Sequence, residues 1–507
     1  MNMDDFLLPD TRGVRQRNCI AIVSHAHPSI SKGGAEISAY AVYQGLLALG
    51  HDAIFIAAVP ESLATRVELG SRREYAISVD PADYDYFYHI GSSTVCDQLI
   101  DIIERNSVKI VNFHHFMNFG TNSLRAVAER PGIRTVLTLH EFVAICHHHG
   151  QMITRPALNL CEKSSTASCA SCFPENSGQQ FAMRRRHFLN SFAALDGFVS
   201  PSKFLAQRFI EWGAPAERMQ VVENGLAHVP PLAPPRRKRV GDEQWVFGYF
   251  GQINPFKGLS TILDAADLIA EYEDLPETLK IRIHGNMVGQ SQEFIDRFEA
   301  CVAKHSFLTY AGAYDNSVVS RLMSDCDYMI IPSSWWENSP VVIQEAYAVG
   351  RPIICTGIGG MAEKVIDGVT GLHFNLRDHV DLVRVIEIAA TQQMNAKLRA
   401  GLPKVPDSTE MAQKYLEIFE MLPPAEKPIP EPDEPEVKAF ESDNLPREVT
   451  DAAEDIVQGS DSGQNVNNGG FAEDESAAEL VLAEDVPGKA GVIAPKRSRG
   501  RGVRRRE

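Results

Sequence analysis

No stretch of this 507-residue chain approaches the ~20 consecutive apolar residues that a membrane-spanning helix needs. The first eighteen residues are polar and charged and lack the apolar centre of a secretory signal. The expectation is therefore a cytoplasmic protein. No segment repeats, so solenoid and array architectures are set aside. Basic residues are in deficit: 49 Lys and Arg stand against 66 Asp and Glu, a net charge of −17. That balance argues against broad nucleic-acid binding, and no specific nucleic-acid partner is expected.

What remains is an ordinary apolar fraction spread over a length too great for one core, so two or three domains are expected. The run Cys19-Ile-Ala-Ile-Val-Ser-His25 reads as a buried parallel strand. A loop with Gly33-Gly34 follows, then a helix from about 35 to 49 ended by Gly50, then a strand at 53–58. This is a βαβ unit. Further strands at 110–113, 135–139 and 197–200 make a first Rossmann-like α/β domain over 18–235, after an N-terminal extension at 1–17. Residues 227–243 are rich in Pro and Arg and read as a linker. A second Rossmann-like domain spans 240–406, with strands at 245–250, 281–284, 307–310, 328–331 and 352–355. A last amphipathic helix occupies 407–422. Residues 424–507 carry 19 acidic and 11 basic side chains, are poor in aromatics and cannot offset their ordering entropy, so they read as a disordered tail. Its basic end, Lys496 to Arg506, reads as a solvated tail that folds back on the acidic segment, or as an anchor for nucleic acid or for anionic lipid, the latter a peripheral contact at the inner face of a membrane.

The segment Trp336-Glu-Asn-Ser-Pro-Val-Val-Ile-Gln-Glu345-Ala346 holds two glutamates eight residues apart with a helix start between them. Ser339 reads as the N-cap and Pro340 as the first helical residue. Free N–H groups at such a start attract phosphate. Glu345 lies about 9 Å along the axis from the cap at about 1.5 Å per residue. A diphosphate at the helix start then has a carboxylate towards each end of its ligand, which suits a nucleotide-diphosphate-sugar. The donor-binding candidates are Asn338, Ser339, Pro340, Val341 and Glu345, with Glu337 at the sugar.

With its flanks, Pro332-Ser333 before and Arg351-Pro-Ile-Ile354, Gly359-Gly360 and Glu363 after, this segment resembles the E-x7-E motif of retaining glycosyltransferases of family 4. The resemblance covers 18–422 and is most specific over 246–374. It implies the GT-B fold: an acceptor domain and a nucleotide-sugar-binding domain facing across a cleft, with the last helix returning to the first domain. It also implies roles for other residues. Gly251-Gln-Ile-Asn-Pro-Phe-Lys257-Gly258 is similar to the family's phosphate loop, with Lys257 at the lysine position and Gln252 where an arginine is usual. Gly33 and Gly34 match the glycine-rich loop of the first domain. His140, followed by Glu141 where Asp is usual, matches the histidine beside the transferred sugar. Glu337, His140 and Lys257 are thus the catalytic candidates, and no catalytic metal is expected.

Two Asp-x-Asp patterns, at Asp83–Asp85 and Asp325–Asp327, lack the setting of a metal site. Four of the nine cysteines, Cys146, Cys161, Cys169 and Cys172, fall in an insertion at about 143–178 beside His147, His148 and His149. The C-x2-C pair and the reducing compartment make them candidate ligands of a structural zinc. Arg184-Arg-Arg-His187 reads as a solvated basic helix face or a contact for anionic lipid or an acceptor phosphate.

The function these features imply is retaining transfer of a sugar from a UDP-, GDP- or ADP-type donor to a hydroxyl of a glycan or glycolipid, in cell-surface polysaccharide or glycoconjugate synthesis. Two alternatives stand: a nucleotide-sugar epimerase of the same fold, and a catalytically silent binding scaffold, which Gln252 and the charged tail suggest.

Overall fold

The computed structural model describes residues 18–31, 33–235, 244–273 and 275–424. The N-terminal extension, part of the linker and the tail from 425 onward lie outside the described residues. Two parallel sheets organise the rest. The first contains β1 (Cys19–Ser24), β2 (Ala53–Pro60), β3 (Glu74–Val79), β4 (Val108–Phe113), β5 (Arg134–Thr138), β6 (Gly197–Ser200) and β7 (Met219–Val221), in the order β3-β2-β1-β4-β5-β6-β7. The second contains β8 (Trp245–Phe250), β9 (Leu279–His284), β10 (Leu308–Gly312), β11 (Tyr328–Ile331), β12 (Ile353–Thr356) and β13 (Gly371–Phe374), in the order β10-β9-β8-β11-β12-β13. Every residue of β1 and of β8 is buried, as expected of central parallel strands covered by helices on both faces.

Three strands fall outside the sequence expectation: β3, β7 and β13. All sit at or next to a sheet edge, and β7 has only three residues, Met-Gln-Val. Their patterns are short and mixed in polarity, so the hydrophobic period carries little signal. In β3 the buried Glu74 accepts from Tyr40 Oη at 3.1 Å and from the Gly70 amide at 2.6 Å.

The Ser408–Met421 helix crosses back from the second domain and completes the core of the first. Met411, Ala412, Tyr415 and Phe419 pack with Ile20, Val42, Leu46 and Phe55. The chain returns beside its own exit point, where Leu226 bridges to Asp407. Contact is close enough that a Cβ on Gly45 would stand 2.1 Å from the Ser408 carbonyl oxygen. Asp407 and Glu410 start this helix with a capping box.

The basic triplet on the Gly178–Ala193 helix departs from expectation. Arg184 is 3% exposed, and its guanidinium donates to the carbonyls of Phe87, Ala144 and Val143. Arg185 donates to the Trp212 carbonyl at 2.7 Å. Two of the three arginines therefore staple loops rather than present a basic face. Charge along a helix does not reveal which turn meets another element. The Asp325–Asp327 pattern is likewise structural: Asp327 is buried and accepts the Val246 amide at 2.9 Å.

Candidate active site

The carboxyl ends of the central strands of both sheets meet in a cleft. On the second-domain side, β8 runs into Gly251, whose φ of +150° suits glycine. The loop ends at Gly258 (φ +77°), where a Cβ would stand 1.8 Å from the Pro332 carbonyl oxygen. Only glycine lets this loop lie against the end of β11. Asn254 Oδ1 accepts the Lys257 amide at 2.8 Å and shapes the turn. Gln252 turns towards Asn254, whose Nδ2 lies 3.4 Å from its Oε1. The helix here begins at Leu259, so Lys257 stands just ahead of it.

Lys257 reaches across this end of the sheet to Glu337. Its Nζ lies 2.8 Å from Glu337 Oε1, and the same oxygen accepts from Ser333 Oγ and Trp335 Nε1, each at 2.8 Å. The Glu337 side chain is 13% exposed and that of Lys257 30%. Burial pushes the Glu337 carboxyl up, but the Lys257 charge and the three hydrogen bonds outweigh it and hold it below the ordinary range. Lys257 Nζ also stands 5.1 Å over the Trp335 ring, which stacks on Phe256.

The next helix spans Val341–Ala348, with Pro340 rather than Ser339 in the cap position. The Ser339 hydroxyl makes no cap bond; Asn224 Nδ2 reaches it at 3.4 Å from the first domain. Pro340 is extended (ψ 119°), which delays the helix by one residue. The helix ends as expected, with Gly350 at φ +74°. Glu345 lies half-buried on it, and burial pushes its carboxyl up to about 7. The Glu337 backbone is set by Gly360, whose amide donates to the Glu337 carbonyl at 2.7 Å. A Cβ on Gly360 would stand 1.9 Å from the Asn338 carbonyl oxygen. Gly360→Ala is expected to displace Glu337 and Asn338 and to cut nucleotide release at least tenfold, by about the effect of a small misplacement.

The first-domain wall is built from histidines at strand ends. His25 follows β1, His114 and His115 follow β4, and His140 lies two residues after β5. The Asn338 amide donates to the His140 carbonyl at 2.9 Å, so the two walls touch. His140 Nε2 pairs with His114 Nδ1 at 3.0 Å, and His114 in turn meets Asn112 at 3.1 Å and stacks on Tyr415 of the return helix. Burial, then the neighbouring His114, holds the His140 imidazole well below its ordinary pKa and thus neutral. His25 Nε2 lies 3.2 Å from Glu36, and His115 Nε2 lies 3.0 Å from Glu141. Burial acts to raise the Glu36 carboxyl, but His25 and the Ser31 hydroxyl bring it down to about 2. Gly33 caps the helix that carries Glu36, and a Cβ on Gly34 would meet Val341 Cγ2 at 3.7 Å. The glycine loop thus faces the helix start of the other domain.

The structure brings Lys257, Gly251, Gln252, Glu337, Asn338, Ser339, Pro340, Val341 and Glu345 to one wall and His140, Gly33 and Gly34 to the facing one. Sequence reasoning passed over His25, His114 and His115. Their signal was present: His25 and His114 directly follow a strand and His115 comes one residue later, the position where α/β ligand sites form.

The family model described as "Glycosyltransferase Family 4" matches residues 32–228, and "Glycosyl transferases group 1" matches 235–402. The chain belongs to glycosyltransferase family 4. A relative from Salmonella typhimurium, lipopolysaccharide 1,2-N-acetylglucosaminetransferase, is 26% identical over 34% of this chain and 48% of its own. D-inositol 3-phosphate glycosyltransferase from Stackebrandtia nassauensis is 26% identical over 34% of this chain and 39% of its own. These matches span less than half the length of either relative. Glycogen synthase from Mycobacterium tuberculosis is 23% identical over 75% of this chain and 88% of its own. Among solved structures, Anabaena Alr3699/HepE in complex with UDP and glucose has a TM-score of 0.58 at 17% identity, covering 80% of this chain and 100% of its own. Sucrose-phosphate synthase from Thermosynechococcus elongatus has a TM-score of 0.61 at 15% identity, covering 80% and 98%. These likenesses establish the GT-B fold of this family 4 chain. Among the described residues no helix is long and apolar enough to cross a membrane.

Proposed function

We propose that this family 4 protein is a retaining glycosyltransferase that moves a sugar from a nucleotide-diphosphate donor to a hydroxyl of a glycan or glycolipid. The observation that carries this reading is the Lys257–Glu337 pair, 2.8 Å apart beside the Val341–Ala348 helix start. A cation, free backbone N–H groups and a carboxylate are the groups a sugar–diphosphate needs. As the sugar–phosphate bond breaks, negative charge grows on the leaving diphosphate. Lys257 and the helix-start amides stabilise it there. Glu337 exchanges its Lys257 partner for sugar hydroxyls. Asn338 and Gln344 lie at the same helix start, and their buried Oδ1 and Oε1 have no hydrogen-bond partner among the described residues. Neutral His140 lines the opposite wall. The departing phosphate oxygen takes the proton of the attacking hydroxyl on the same face, which yields retention.

The donor class is supported by the neighbours: Alr3699/HepE was solved with UDP and with UDP-glucose, and starch synthase IV from Arabidopsis thaliana with ADP and acarbose. With Gln252 at the position of the second cation, Lys257 is the one basic residue in the 251–258 loop. A panel of UDP-, GDP- and ADP-sugars, scored for acceptor-dependent nucleotide release and for the product anomer, tests the proposal. Free isomerised sugar with no acceptor product supports the epimerase instead. Tight donor binding without turnover supports the scaffold.

Glu345 supplies a pH test. Its folded-state pKa of about 7 exceeds the ordinary 4.5, so folding favours the protonated form. Its contribution to stability is full below about 4.5, falls as pH rises and reaches its minimum above about 7. If its carboxylate holds the ribose hydroxyls, donor affinity rises over the same interval. Glu345→Gln is expected to flatten both profiles, as read by thermal melts and donor titrations from pH 5 to 8, a range of about three units spanning that pKa.

A further inference from the structure

The insertion between β5 and the Gly178–Ala193 helix carries four cysteines that the transfer chemistry proposed above does not use. None of them is in a disulfide. The local fold draws them together. The Cys161 amide donates to the Met152 carbonyl at 2.8 Å, and Ile153 bridges to Leu160, so a short hairpin returns Cys161 to the turn that begins at Cys146. Cys169 and Cys172 stand one turn apart on the Thr166–Cys172 helix, and the Arg155 amide of the hairpin donates to Cys172 Sγ at 3.5 Å. The sulfurs lie within electrostatic reach of one another: Cys146 with Cys161 and Cys169, and Cys172 with Cys161 and Cys169.

Each sulfur also faces backbone. His148 and Met152 address Cys146, Lys163 addresses Cys161, Ser165 addresses Cys169 and Arg155 addresses Cys172. Four thiols gathered in one insertion, two of them at C-x2-C spacing on one helix, are the donor set that a soft divalent cation takes. A second observation points the same way. The Arg184 guanidinium is buried, hydrogen-bonds only to carbonyls, and makes no ion pair among the described residues. It stands within electrostatic reach of the Cys146 and Cys169 sulfurs and, after them, of the Glu141 and Asp85 carboxylates. A zinc tetrathiolate, with its net negative charge, suits a place beside that buried cation.

We propose that Cys146, Cys161, Cys169 and Cys172 bind one structural zinc ion, and that the zinc fixes the insertion as a latch on the donor motif. The latch is the Cys161 carbonyl, which accepts the indole N–H of Trp336 at 3.1 Å. Trp336 immediately precedes Glu337. Arg208 stacks over both Trp336 and Phe204, at 4.9 and 5.2 Å, and Arg377 donates to the Leu158 carbonyl at 2.7 Å. The insertion therefore straps the two domains together beside the site. In this structure no three of the sulfurs lie within 4.8 Å of one another; among the described residues only Asp267, Cys301 and His305 form such a group. Zinc at about 2.3 Å from each sulfur draws the hairpin and short helix closer, and the four thiol protons pass to solvent. The Asp267 group is the competing site, although Lys304 Nζ already holds Asp267 Oδ1 at 2.6 Å.

Metal analysis of the purified full chain tests the first half of the proposal without reference to transfer activity. About one zinc per chain is expected, lost in Cys169→Ser and Cys172→Ser and kept in Cys301→Ser. Cobalt exchanged into the unaltered chain is expected to show the thiolate charge-transfer and tetrahedral bands of an all-sulfur site, which covers the case in which the serine variants fail to fold. A chain with no zinc and no cobalt-thiolate spectrum overturns the site, as does zinc that is lost in Cys301→Ser but kept in Cys169→Ser. Trp336→Phe, which keeps the ring and removes the N–H donor, tests the second half. It is expected to retain zinc and to lower transfer at least tenfold through misplaced Glu337. Unchanged transfer in that variant overturns the latch. The latch rests on the transferase reading; the zinc does not, so the two fail separately.

Discussion

Lys257→Ala is expected to lower the rate of sugar transfer by about 10²–10³-fold, the usual cost of removing one group that stabilises charge developing in a transition state. Lys257 is 30% exposed on its side chain and packs on Trp335, so the change leaves the two sheets untouched. Its loss is expected mainly in kcat, because the diphosphate carries more negative charge on leaving than in the bound donor. Glu337→Ala is expected to fall as far for a different reason. It removes the acceptor of three hydrogen bonds and leaves Lys257 beside the indole N–H of Trp335 with nothing to hold it. Glu337→Gln distinguishes charge from shape: it preserves an acceptor oxygen but not the partner for Lys257. Single-turnover nucleotide release, with melting curves to confirm folding, reads all three. Near-normal turnover in a folded Lys257 or Glu337 variant contradicts the assignment.

The second large effect is on stability, and it lies far from the cleft. Gly45→Val places a side chain where the Ser408 backbone runs, since the first added atom already stands 2.1 Å from the Ser408 carbonyl oxygen and 2.8 Å from the Ala412 Cβ. Neither neighbour is a flexible side-chain tip, so the return helix must lift. Lifting it exposes Met411, Tyr415, Ile418 and Phe419, and the expected loss exceeds about 4 kcal/mol, in the range reserved for backbone clashes and opened cores. Denaturant titration measures it. Gly178→Ala is the control, because a Cβ there meets nothing closer than 3.7 Å. Residual folded Gly45→Val is also expected to lose activity, because Tyr415 stacks on His114 and His114 holds His140.

Much of the site was visible in the chain because its logic is local. Gly251 to Gly258 and Trp336 to Ala346 each lie within one strand–loop–helix passage, where spacing along the sequence sets position in space. The single-residue error at Ser339 arose where local logic gave way: Asn224, 115 residues earlier, takes that hydroxyl. The same limit hid Arg184, whose three carbonyl partners come from two distant loops. It also hid the histidine wall, since His25, His115 and His140 meet only because β1, β4 and β5 are neighbours in the sheet.

Residue order alone determined the two α/β halves, the central buried strands, the helix start between the paired glutamates and the lysine loop, because continuous apolar runs and capping residues act over one or two turns. Tertiary structure decided which groups face each other: Lys257 against Glu337, the His140 carbonyl against Asn338, the return helix against Gly45, and Cys161 against Trp336. Those contacts span 80 to more than 360 residues of chain, and pairings at such separation depend on strand order and domain packing, which no local pattern encodes.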